Sequence, residues 1–307
     1  MKGIVSKSTG SWYIVIVNNN ESYRCRVRGK LRIKGLKTTN PIAVGDEVLV
    51  SVENESQKLG IIEELLPRRN YIIRKAIKRA SHAHIIAANI DLALLVVTEV
   101  HPKTSLGFID RFLVTAESFR IPQALVFNKR DLLNEEHLYI EKQKIQIYKK
   151  LNVRCIETSA LNRAGIGDLK NLLEGQTTLI SGHSGVGKSS LINLISTDID
   201  QKTNEISDFA NKGVHTTTNA EMFRLNDHSF IIDTPGIKEL GLIDMKRQEI
   251  SDYFPEMREI SHGCKFHNCL HLNEPGCTVK IALEEGQIAE SRYHNYVSML
   301  EGRDNRR

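Results

Sequence analysis

The stretch Gly182-His183-Ser184-Gly185-Val186-Gly187-Lys188-Ser189 decides the fold, because it fits G-x-x-x-x-G-K-[ST], the pattern of a phosphate-binding loop. The apolar segment Thr177-Thr178-Leu179-Ile180 before it predicts a strand, and Ser190 with the apolar residues after it predicts a helix. In that context the glycines let backbone N–H groups point at phosphate oxygens, and the helix N-terminus adds positive charge. Lys188 is expected to reach the β- and γ-phosphates, and the Ser189 hydroxyl to hold Mg²⁺. The stretch therefore predicts a nucleoside triphosphate site.

The composition describes an ordinary globular chain with room for several domains. It has 307 residues, 40% apolar and 26% charged, which is enough for two or three cores. No apolar run approaches the roughly 20 residues that cross a bilayer, so no membrane partner is expected. The five cysteines are an odd number, and three cluster near the C-terminus. We therefore expect a reducing cytoplasm and a metal site rather than a disulfide framework.

Positive charge is concentrated in two N-terminal segments, although the net charge is only +5. Residues 22–45 contain seven Lys or Arg and residues 65–90 contain six, with no Asp or Glu in either segment. This distribution is typical of proteins that bind a polyanion. The alternative is a solvated surface, but such surfaces usually intersperse acidic residues.

The first 67 residues predict a small all-β barrel of the OB type. Short β-prone runs such as residues 12–17 alternate with turn signals, and about five strands fit at this spacing. Arg24, Arg26 and Arg28 occupy alternate positions, so they are expected on the outer face, with Cys25 in the core. A basic strand face on such a barrel indicates binding to a nucleic-acid backbone. The alternative is an edge strand that is charged to prevent aggregation.

A second motif, Asn128-Lys129-Arg130-Asp131, follows the apolar segment Gln123-Ala124-Leu125-Val126-Phe127 and fits N-K-x-D, the guanine-reading motif of GTPases. A carboxylate at Asp131 can accept hydrogen bonds from N1–H and the 2-amino group of guanine. Adenine offers neither donor, so it would leave the carboxylate unsatisfied. Asn128 is expected to fix the loop, and the stem of Lys129 to cover the ring. The motif therefore predicts a guanine nucleotide.

Three further segments match the remaining GTPase motifs. Thr158-Ser159-Ala160 resembles the loop whose backbone N–H contacts guanine O6, which assigns Ser159 and Ala160 to the base. In Gly213-Val214-His215-Thr216-Thr217-Thr218, one hydroxyl is expected to complete the Mg²⁺ shell, and the sequence leaves open whether Thr216, Thr217 or Thr218 supplies it. Asp233-Thr234-Pro235-Gly236 fits D-x-x-G, so Asp233 is expected to hold Mg²⁺ and the Gly236 N–H to contact the γ-phosphate.

The C-terminal segment contains a candidate metal site. Three thiolates and one imidazole fall within fourteen residues: Cys264, Cys269, His271 and Cys277. This set is typical of a closed, tetrahedral structural zinc site, with His262 and His267 as competing ligands. A segment of about 60 residues needs such a metal in order to fold. Amphipathic helices over residues 246–253 and 287–299 are expected to flank the site.

The order of the motifs is unusual, because Asn128 and Asp131 precede the phosphate loop, whereas an ordinary GTPase begins with that loop. This order indicates a circular permutation, which termini and loop tips tolerate. Together with residues 182–190, residues 215–218 and the cysteine cluster, it resembles the RsgA (YjeQ) family of ribosome-small-subunit-dependent GTPases over essentially the whole chain. The resemblance implies an OB domain, a permuted GTPase domain and a C-terminal zinc domain that act late in small-subunit maturation. It also supports the Cys₃His zinc set.

One group expected for hydrolysis is missing. Ras-like enzymes place a glutamine just after D-x-x-G to orient the attacking water, but here that position is Ile237. Slow hydrolysis by the isolated protein is therefore expected. We hypothesise that His215 positions the water once the ribosomal subunit orders its segment; the alternative is a solvated loop histidine. Lys188 and Gly236 complete the predicted catalytic set.

The sequence thus predicts a circularly permuted α/β P-loop GTPase domain over residues 68–245. An OB-type RNA-binding barrel over 1–67 and a mostly helical zinc-binding domain over 246–307 are expected to flank it. The predicted function is subunit-stimulated GTP hydrolysis that controls release from the small ribosomal subunit and its rRNA. GTP or GDP, Mg²⁺ and one Zn²⁺ are the expected cofactors of a cytoplasmic monomer. Two alternatives are an RNA chaperone with GTP as a structural ligand and an ATP-dependent enzyme, against which Asn128 and Asp131 argue.

Overall fold

Five N-terminal strands close into a barrel in the computed structural model, which describes residues 1–17, 21–28, 41–75, 83–197, 220–226, 228–233 and 245–303. The strands are β1 (Lys2–Ser8), β2 (Tyr13–Val17), β3 (Ser22–Val27), β4 (Glu47–Asn54) and β5 (Leu59–Leu65). They pair in the order β1-β2-β3-β5-β4, and β4 pairs back to β1, which closes the sheet. Alternate side chains fill the core, where Cys25 is fully buried. The predicted barrel is confirmed.

A hairpin that the sequence did not predict follows the barrel. It consists of β6 (Tyr71–Lys75) and β7 (Ala83–Ala88), which pair antiparallel. Ile72 and Ala87 are buried and join the core on one face of the central sheet. Because Val44 forms a bridge with Ala87, the hairpin also touches the loop before β4. The hairpin therefore packs between the barrel and the central domain.

The central sheet brings the loops that carry the motifs to one edge. Its strands are β8 (Leu92–Val97), β9 (Gln123–Phe127), β10 (Arg154–Glu157), β11 (Thr177–Ser181), β12 (Glu221–Arg224) and β13 (Phe230–Asp233). They lie in the order β10-β9-β8-β11-β13-β12, and neighbours are parallel except β13 and β12, which are antiparallel. The other side of β12 pairs with β1 of the barrel, so the central and barrel strands form one continuous sheet. Parallel strands end at the same edge, so the loops after β9, β10, β11 and β13 lie on one side of the sheet.

Helices cover both faces of the central sheet. The helices α1 (Leu106–Ser118) and α2 (Glu135–Lys150) pack on one face, and α3 (Ile166–Leu173) and α4 (Lys188–Thr197) pack on the other. Strand β8 is buried at every position, as its continuous apolar sequence predicts. Its residues alternate between the two cores, with Leu95 facing α1 and α2 and Leu94 facing α3 and α4. This is the predicted α/β domain.

Two ion pairs join the barrel to the central domain. Strand β1 pairs with β12 at Lys7 and Glu221, whose side chains form a salt bridge of 3.0 Å. The fully buried Asp46 accepts hydrogen bonds from Nε and Nη2 of Arg68, each at 2.6 Å. A buried carboxylate needs such a partner, so Arg68 fixes the chain where the barrel ends.

The C-terminal region is mostly helical, as predicted, but one predicted helix is wrong. Residues 246–253 form two short 3₁₀ helices, Arg247–Glu249 and Ser251–Tyr253. A residue that precedes proline avoids the helical conformation, and Phe254 before Pro255 is extended, with φ −106° and ψ 99°. Too few residues remain for a stable α-helix.

Three α-helices build this region: α5 (Pro255–Ser261), α6 (Thr278–Glu284) and α7 (Glu290–Leu300). Helix α7 begins at Glu290 rather than at residue 287, because Ala289 is extended. Their apolar faces form a third core, which Val114 of α1 also joins. None of the described helices is both long enough and apolar enough to cross a membrane.

Candidate functional site

The phosphate loop lies between β11 and α4, as its sequence predicts. Its backbone has positive φ at Gly182 (145°), Gly185 (86°) and Gly187 (96°). A Cβ at Gly182 would lie 2.4 Å from the carbonyl oxygen of Val96, and one at Gly187 would lie 2.4 Å from Nδ2 of Asn128. Both positions therefore require glycine.

The side chain of Lys188 curls back over the phosphate loop. Its Nζ donates hydrogen bonds to the carbonyl oxygens of Gly182 at 2.8 Å and His183 at 3.0 Å. This places the ammonium group at the concave side of the loop, where phosphate oxygens are expected. Ser189 follows on the first turn of α4 and is half-buried. The remaining predicted residues of this segment occupy the same loop and helix start: Ser184, Gly185, Val186, Gly187 and Ser190.

The two inverted halves of the predicted site touch each other through Asn128. This side chain is buried, and its Nδ2 donates to the carbonyl oxygen of Val186 at 2.8 Å. Its Oδ1 accepts from Oγ1 of Thr158 at 3.0 Å. One amide therefore holds together the loop after β9, the loop after β10 and the phosphate loop, although Asn128 and Val186 lie 58 positions apart.

The residues predicted to read guanine lie together beside Asn128. The Asp131 carboxylate accepts a short hydrogen bond from Oγ of Ser159, and Ala160 follows half-buried. Lys129 has a left-handed backbone (φ 65°), and its Nζ donates to the carbonyl oxygen of His101 at 2.6 Å. The exposed Asp131 is thus held beside the loop that the sequence assigns to guanine O6.

Two contacts at the site were missed by the sequence analysis. The loop after β8 supplies the His101 carbonyl that binds Lys129. Phe108, in the first turn of α1, stacks on the ring of His183, with centroids 4.1 Å apart and planes inclined by 29°. Neither His101 nor Phe108 belongs to a motif, so only the folded chain reveals them.

Asp233 ends β13, beside the strand that leads into the phosphate loop. It lies level with Ile180 in the parallel pairing of β11 and β13. A carboxylate there and the Ser189 hydroxyl are the hard oxygen ligands that Mg²⁺ prefers. The other predicted residues for magnesium, γ-phosphate and catalysis lie outside the described residues: His215, Thr216, Thr217, Thr218 and Gly236.

The four predicted zinc ligands lie together in the C-terminal region. The ligand atoms of Cys264, Cys269, His271 and Cys277 are all within 4.8 Å of one another. Nδ1 of His271 lies 3.4 Å from Sγ of Cys277 and 3.6 Å from Sγ of Cys264, and those two sulfurs are 4.0 Å apart. A zinc tetrahedron with metal–sulfur bonds of about 2.3 Å has edges of about 3.8 Å. The donor set and its spacing fit Zn²⁺.

The loop that carries the metal ligands is held by hydrogen bonds from α7. The hydroxyl groups of Tyr293 and Tyr296 donate to the carbonyl oxygens of His271 and Leu270, at 2.7 and 2.8 Å. Burial lowers the pKa of His271, which keeps the imidazole neutral, as metal binding requires. The competing histidines, His262 and His267, are exposed and outside the cluster.

A buried ion cluster fastens the C-terminal region to the central domain. Nη1 of Arg292 lies 2.8 Å from Asp110, and its Nε lies 2.7 Å from Glu256. Asp110, on α1, also accepts hydrogen bonds from Tyr148 of α2 and from Asn295. Burial raises the pKa of Asp110, whereas Arg292, Asn295 and Tyr148 oppose that rise. Helix α7 therefore docks on α1, and the same carboxylate of Asp110 joins α1 to α2.

The barrel presents an aromatic and basic surface. Arg24 and Arg26 are exposed on β3, as predicted. Their guanidinium carbons lie 4.2 and 4.9 Å from the ring centroid of Trp12. Arg28 is exposed at the end of the same strand. The three arginines therefore share the outer face with an aromatic ring.

Acidic side chains from neighbouring strands reach this surface, which the charge pattern of β3 alone does not indicate. Arg28 forms a 2.8 Å ion pair with Glu63, and Arg26 lies 3.5 Å from Glu53. Both pairs are largely solvated, so water and salt screen them. Lys30, Arg32 and Lys34, which continue the basic run, lie outside the described residues.

The sheet order, the phosphate loop and the guanine-reading loop define a circularly permuted P-loop GTPase. Comparison with known proteins identifies the family within this class. A family model described as RsgA GTPase matches residues 65–243, and one described as RsgA N-terminal domain matches residues 2–62. The chain belongs to the RsgA GTPase family.

Individual relatives cover almost the entire chain. "Small ribosomal subunit biogenesis GTPase RsgA" of Christiangramia forsetii is 50% identical over 99% of this chain and 97% of its own. The protein of the same name from Cytophaga hutchinsonii is 49% identical over the full length of both chains. Among solved structures, YjeQ from Thermotoga maritima matches with a TM-score of 0.79 and 36% identity, over 100% of this chain and 99% of its own. YloQ, titled a circularly permuted GTPase, matches with a TM-score of 0.76 and 30% identity, over 100% and 96%.

Proposed function

We propose that this chain is a GTP hydrolase that acts in the biogenesis of the small ribosomal subunit. The observation that supports this most directly is the hydrogen bond from Asn128 to the Val186 carbonyl, because it joins the guanine-reading and phosphate-binding loops in one site. One nucleotide can then contact both loops, its base at Asp131 and its phosphates at Lys188. The names of the relatives supply the biological process.

Within this site we assign the bound groups as follows. Asp131 reads N1–H and the 2-amino group of guanine, and the Ser159-Ala160 backbone meets O6. The backbone of residues 182–190 and Lys188 hold the phosphates. Ser189 and Asp233 hold Mg²⁺, directly or through water, and a hydroxyl from residues 216–218 completes the shell. The N–H of Gly236 contacts the γ-phosphate.

The barrel is proposed to bind rRNA of the small subunit. Exposed guanidinium groups neutralise phosphates, and a tryptophan ring can stack on an unpaired base. Trp12, Arg24 and Arg26 combine both features on one surface, and Arg28 extends it. The ion pairs of Arg26 with Glu53 and of Arg28 with Glu63 are solvated and therefore easily exchanged for phosphate contacts.

We further propose a division into three domains, over residues 1–67, 68–245 and 246–307. The separate apolar cores of the barrel and the central sheet support it, and so does the third core around α5, α6 and α7. The last domain would hold one structural Zn²⁺ through Cys264, Cys269, His271 and Cys277. The proposed location is the cytoplasm, where small ribosomal subunits are assembled, and the proposed oligomeric state is a monomer.

Hydrolysis is proposed to be slow without the subunit, because Ile237 occupies the usual position of the water-orienting glutamine. His215 would position the water after the subunit orders its segment, and the resulting hydrolysis would drive release.

The test is GTP turnover by the full chain with and without purified small subunits, for the wild type and His215→Ala. We expect subunits to raise turnover at least tenfold in the wild type and far less in the variant. Equal turnover with and without subunits would favour an RNA chaperone that uses GTP only as a structural ligand. Full stimulation of His215→Ala would remove the role assigned to that histidine.

A further inference from the structure

Arg130, the variable residue of N-K-x-D, connects the guanine-reading loop to two other elements. Its Nε donates to Oε1 of Glu141 on α2 at 2.9 Å, and its Nη1 lies 2.6 Å from Oε2 of Glu157 at the end of β10. Its backbone N–H donates to the carbonyl oxygen of Thr158 at 3.3 Å. Arg130 thus contacts both segments against which Asp131 must be aligned.

Glu141 is an unusual partner, because it is completely buried. Its Oε2 has no hydrogen-bond partner among the described residues. Burial raises the pKa of Glu141 to about 7; Arg130 opposes that rise, whereas Glu157 and Glu99 add to it. Glu99, from the loop after β8, is itself paired with Lys144 at 2.5 Å and Lys103 at 3.8 Å. Arg130 is therefore the cation that directly compensates Glu141.

Stability alone does not account for this arrangement. Glu141 loses its hydration on burial, whereas the side chains of Arg130 and Glu157 remain 37% and 36% exposed, so water screens both ion pairs and their net contribution to stability is small. A planar guanidinium held by two carboxylates does, however, fix the position of its own backbone. Asp131 is the next residue, and it accepts its short hydrogen bond from Ser159. A displacement of the Arg130 backbone would therefore also displace the Asp131 carboxylate, which reads the base.

We propose that Arg130 is a positioning residue for guanine recognition, which holds Asp131 against the Ser159-Ala160 loop by ion pairs with Glu141 and Glu157. The proposal rests on the proposed function, because it requires that guanine binds at Asp131. It predicts that Arg130 controls how sharply the site distinguishes guanine from a base that lacks the 2-amino group. It also predicts that this control depends on the charge of Glu141.

The first measurement compares the affinity of the full chain for GDP and for IDP, which lacks the 2-amino group. Arg130→Met removes both ion pairs but keeps an unbranched side chain. We expect it to lower the preference for GDP over IDP by about fivefold, the effect of one misaligned polar contact. Arg154→Met is the matched control, because Arg154 is an exposed arginine on the same strand as Glu157. It is expected to leave the preference unchanged.

The second measurement is the pH profile of GDP affinity. Below about pH 7 Glu141 is protonated, and a neutral carboxyl group holds Arg130 less strongly. GDP affinity of the wild type is therefore expected to fall as the pH falls through about 7. Glu141→Gln keeps the shape without the charge, so it should lose the part of the slope that Glu141 contributes. The slope that remains in this variant comes from the terminal phosphate of GDP, whose second pKa is about 6. If Arg130→Met does not fold, Glu157→Gln replaces it in the first measurement.

Two results would overturn the proposal: an unchanged GDP-to-IDP preference in folded Arg130→Met, or the same pH slope in Glu141→Gln and the wild type. Asp131→Asn separates this failure from a failure of the site itself. An asparagine there should transfer preference from guanine to xanthine nucleotides, since xanthine presents an acceptor where guanine has its amino group. If that transfer occurs while Arg130→Met has no effect, the guanine site stands and the role of Arg130 does not.

Discussion

Gly187 lies where the two halves of the nucleotide site meet. Its φ of 96° is unfavourable for other residues, and a Cβ there would lie 2.4 Å from Nδ2 of Asn128. That same nitrogen donates to the carbonyl oxygen of Val186, one residue earlier. The glycine therefore does more than permit a turn: it leaves room for the amide that fastens the loops together.

Gly187→Ala is expected to weaken GDP binding at least tenfold, because Asn128 must move away and release the phosphate loop. The backbone strain by itself costs about 1–3 kcal/mol. Gly10→Ala provides the control, since Gly10 has a similar φ of 86° but no atom within 4 Å of an added Cβ. Both variants should lose stability in thermal unfolding, but titration with a fluorescent GDP analogue should detect weakened binding only for Gly187→Ala. Equal GDP affinity in the two variants would contradict the role of this contact.

The sequence could predict the roles of residues that belong to known motifs, but it could not predict which other residues hold them in place. Asn128, Asp131 and Lys188 occupy fixed places in patterns whose chemistry is known. Phe108 and Arg130 are ordinary helix and loop residues until the fold brings them against His183 and Glu141. For Glu141 in particular the local sequence predicts a solvent-exposed helix position, because no neighbouring residue in the sequence indicates that it is buried.

At the scale of elements, strands with a continuous apolar run, such as β8, or with regular polar–apolar alternation, such as β3, were predictable, and a strand with neither pattern was not. Strand β9 has the predicted limits, since Pro122 precedes it and the polar Asn128 ends its run of four apolar residues. Strand β1 was missed because two of its buried positions are Gly3 and Ser6, which give no hydrophobic signal. Gly3 is buried for a tertiary reason: a Cβ there would lie 2.5 Å from the side chain of Val15. Packing of this kind overrides local propensity.

The segment from Cys264 to Cys277, which carries the four predicted zinc ligands, is the element whose structure should depend most on a bound ion. Cys277→Ser removes one of four donors, so we expect the full chain to lose its single zinc ion and to melt at a lower temperature. Metal content and thermal unfolding measure the two effects. Cys155→Ser is the matched control, because Cys155 is half-buried in β10, far along the chain from the cluster.

The two exposed histidines provide the opposite test of the zinc assignment. His262→Ala and His267→Ala should each keep one zinc ion per chain, since neither residue belongs to the cluster. Loss of zinc from either variant, or its retention in Cys277→Ser, would show that the ligand set has been assigned wrongly.

At the scale of the whole molecule, α1 joins the C-terminal region to the nucleotide site. Helix α1 carries Asp110, which binds Arg292 of α7, and one half-turn earlier it carries Phe108, which stacks on His183 of the phosphate loop. The sequence could not reveal this connection, because Asp110 and Arg292 are 182 positions apart and charged residues are usually exposed. Helix α1 therefore contacts both the C-terminal region and the phosphate loop.

Arg292→Met tests this connection. Removal of one member of a buried ion pair typically costs about 3–5 kcal/mol, because Asp110 is left without its cation. Asp110→Asn combined with Arg292→Met should recover part of that loss, since the uncompensated charge is gone. Arg258→Met is the control: Arg258 joins the same two domains through Glu117, but the pair is solvated and its loss should cost at most about 1 kcal/mol. Chemical unfolding measures all three.

The same variants separate docking from nucleotide binding. Because the double variant keeps the guanine and phosphate loops intact, its GDP affinity should match that of the wild type. Its stimulation by small subunits should nevertheless fall severalfold, since α1 and α7 have lost the buried ion pair between them and keep only their apolar contacts. Arg258→Met should retain full stimulation. If the double variant responds to subunits as strongly as the wild type, the subunit acts on the nucleotide site by a route that does not pass through α1.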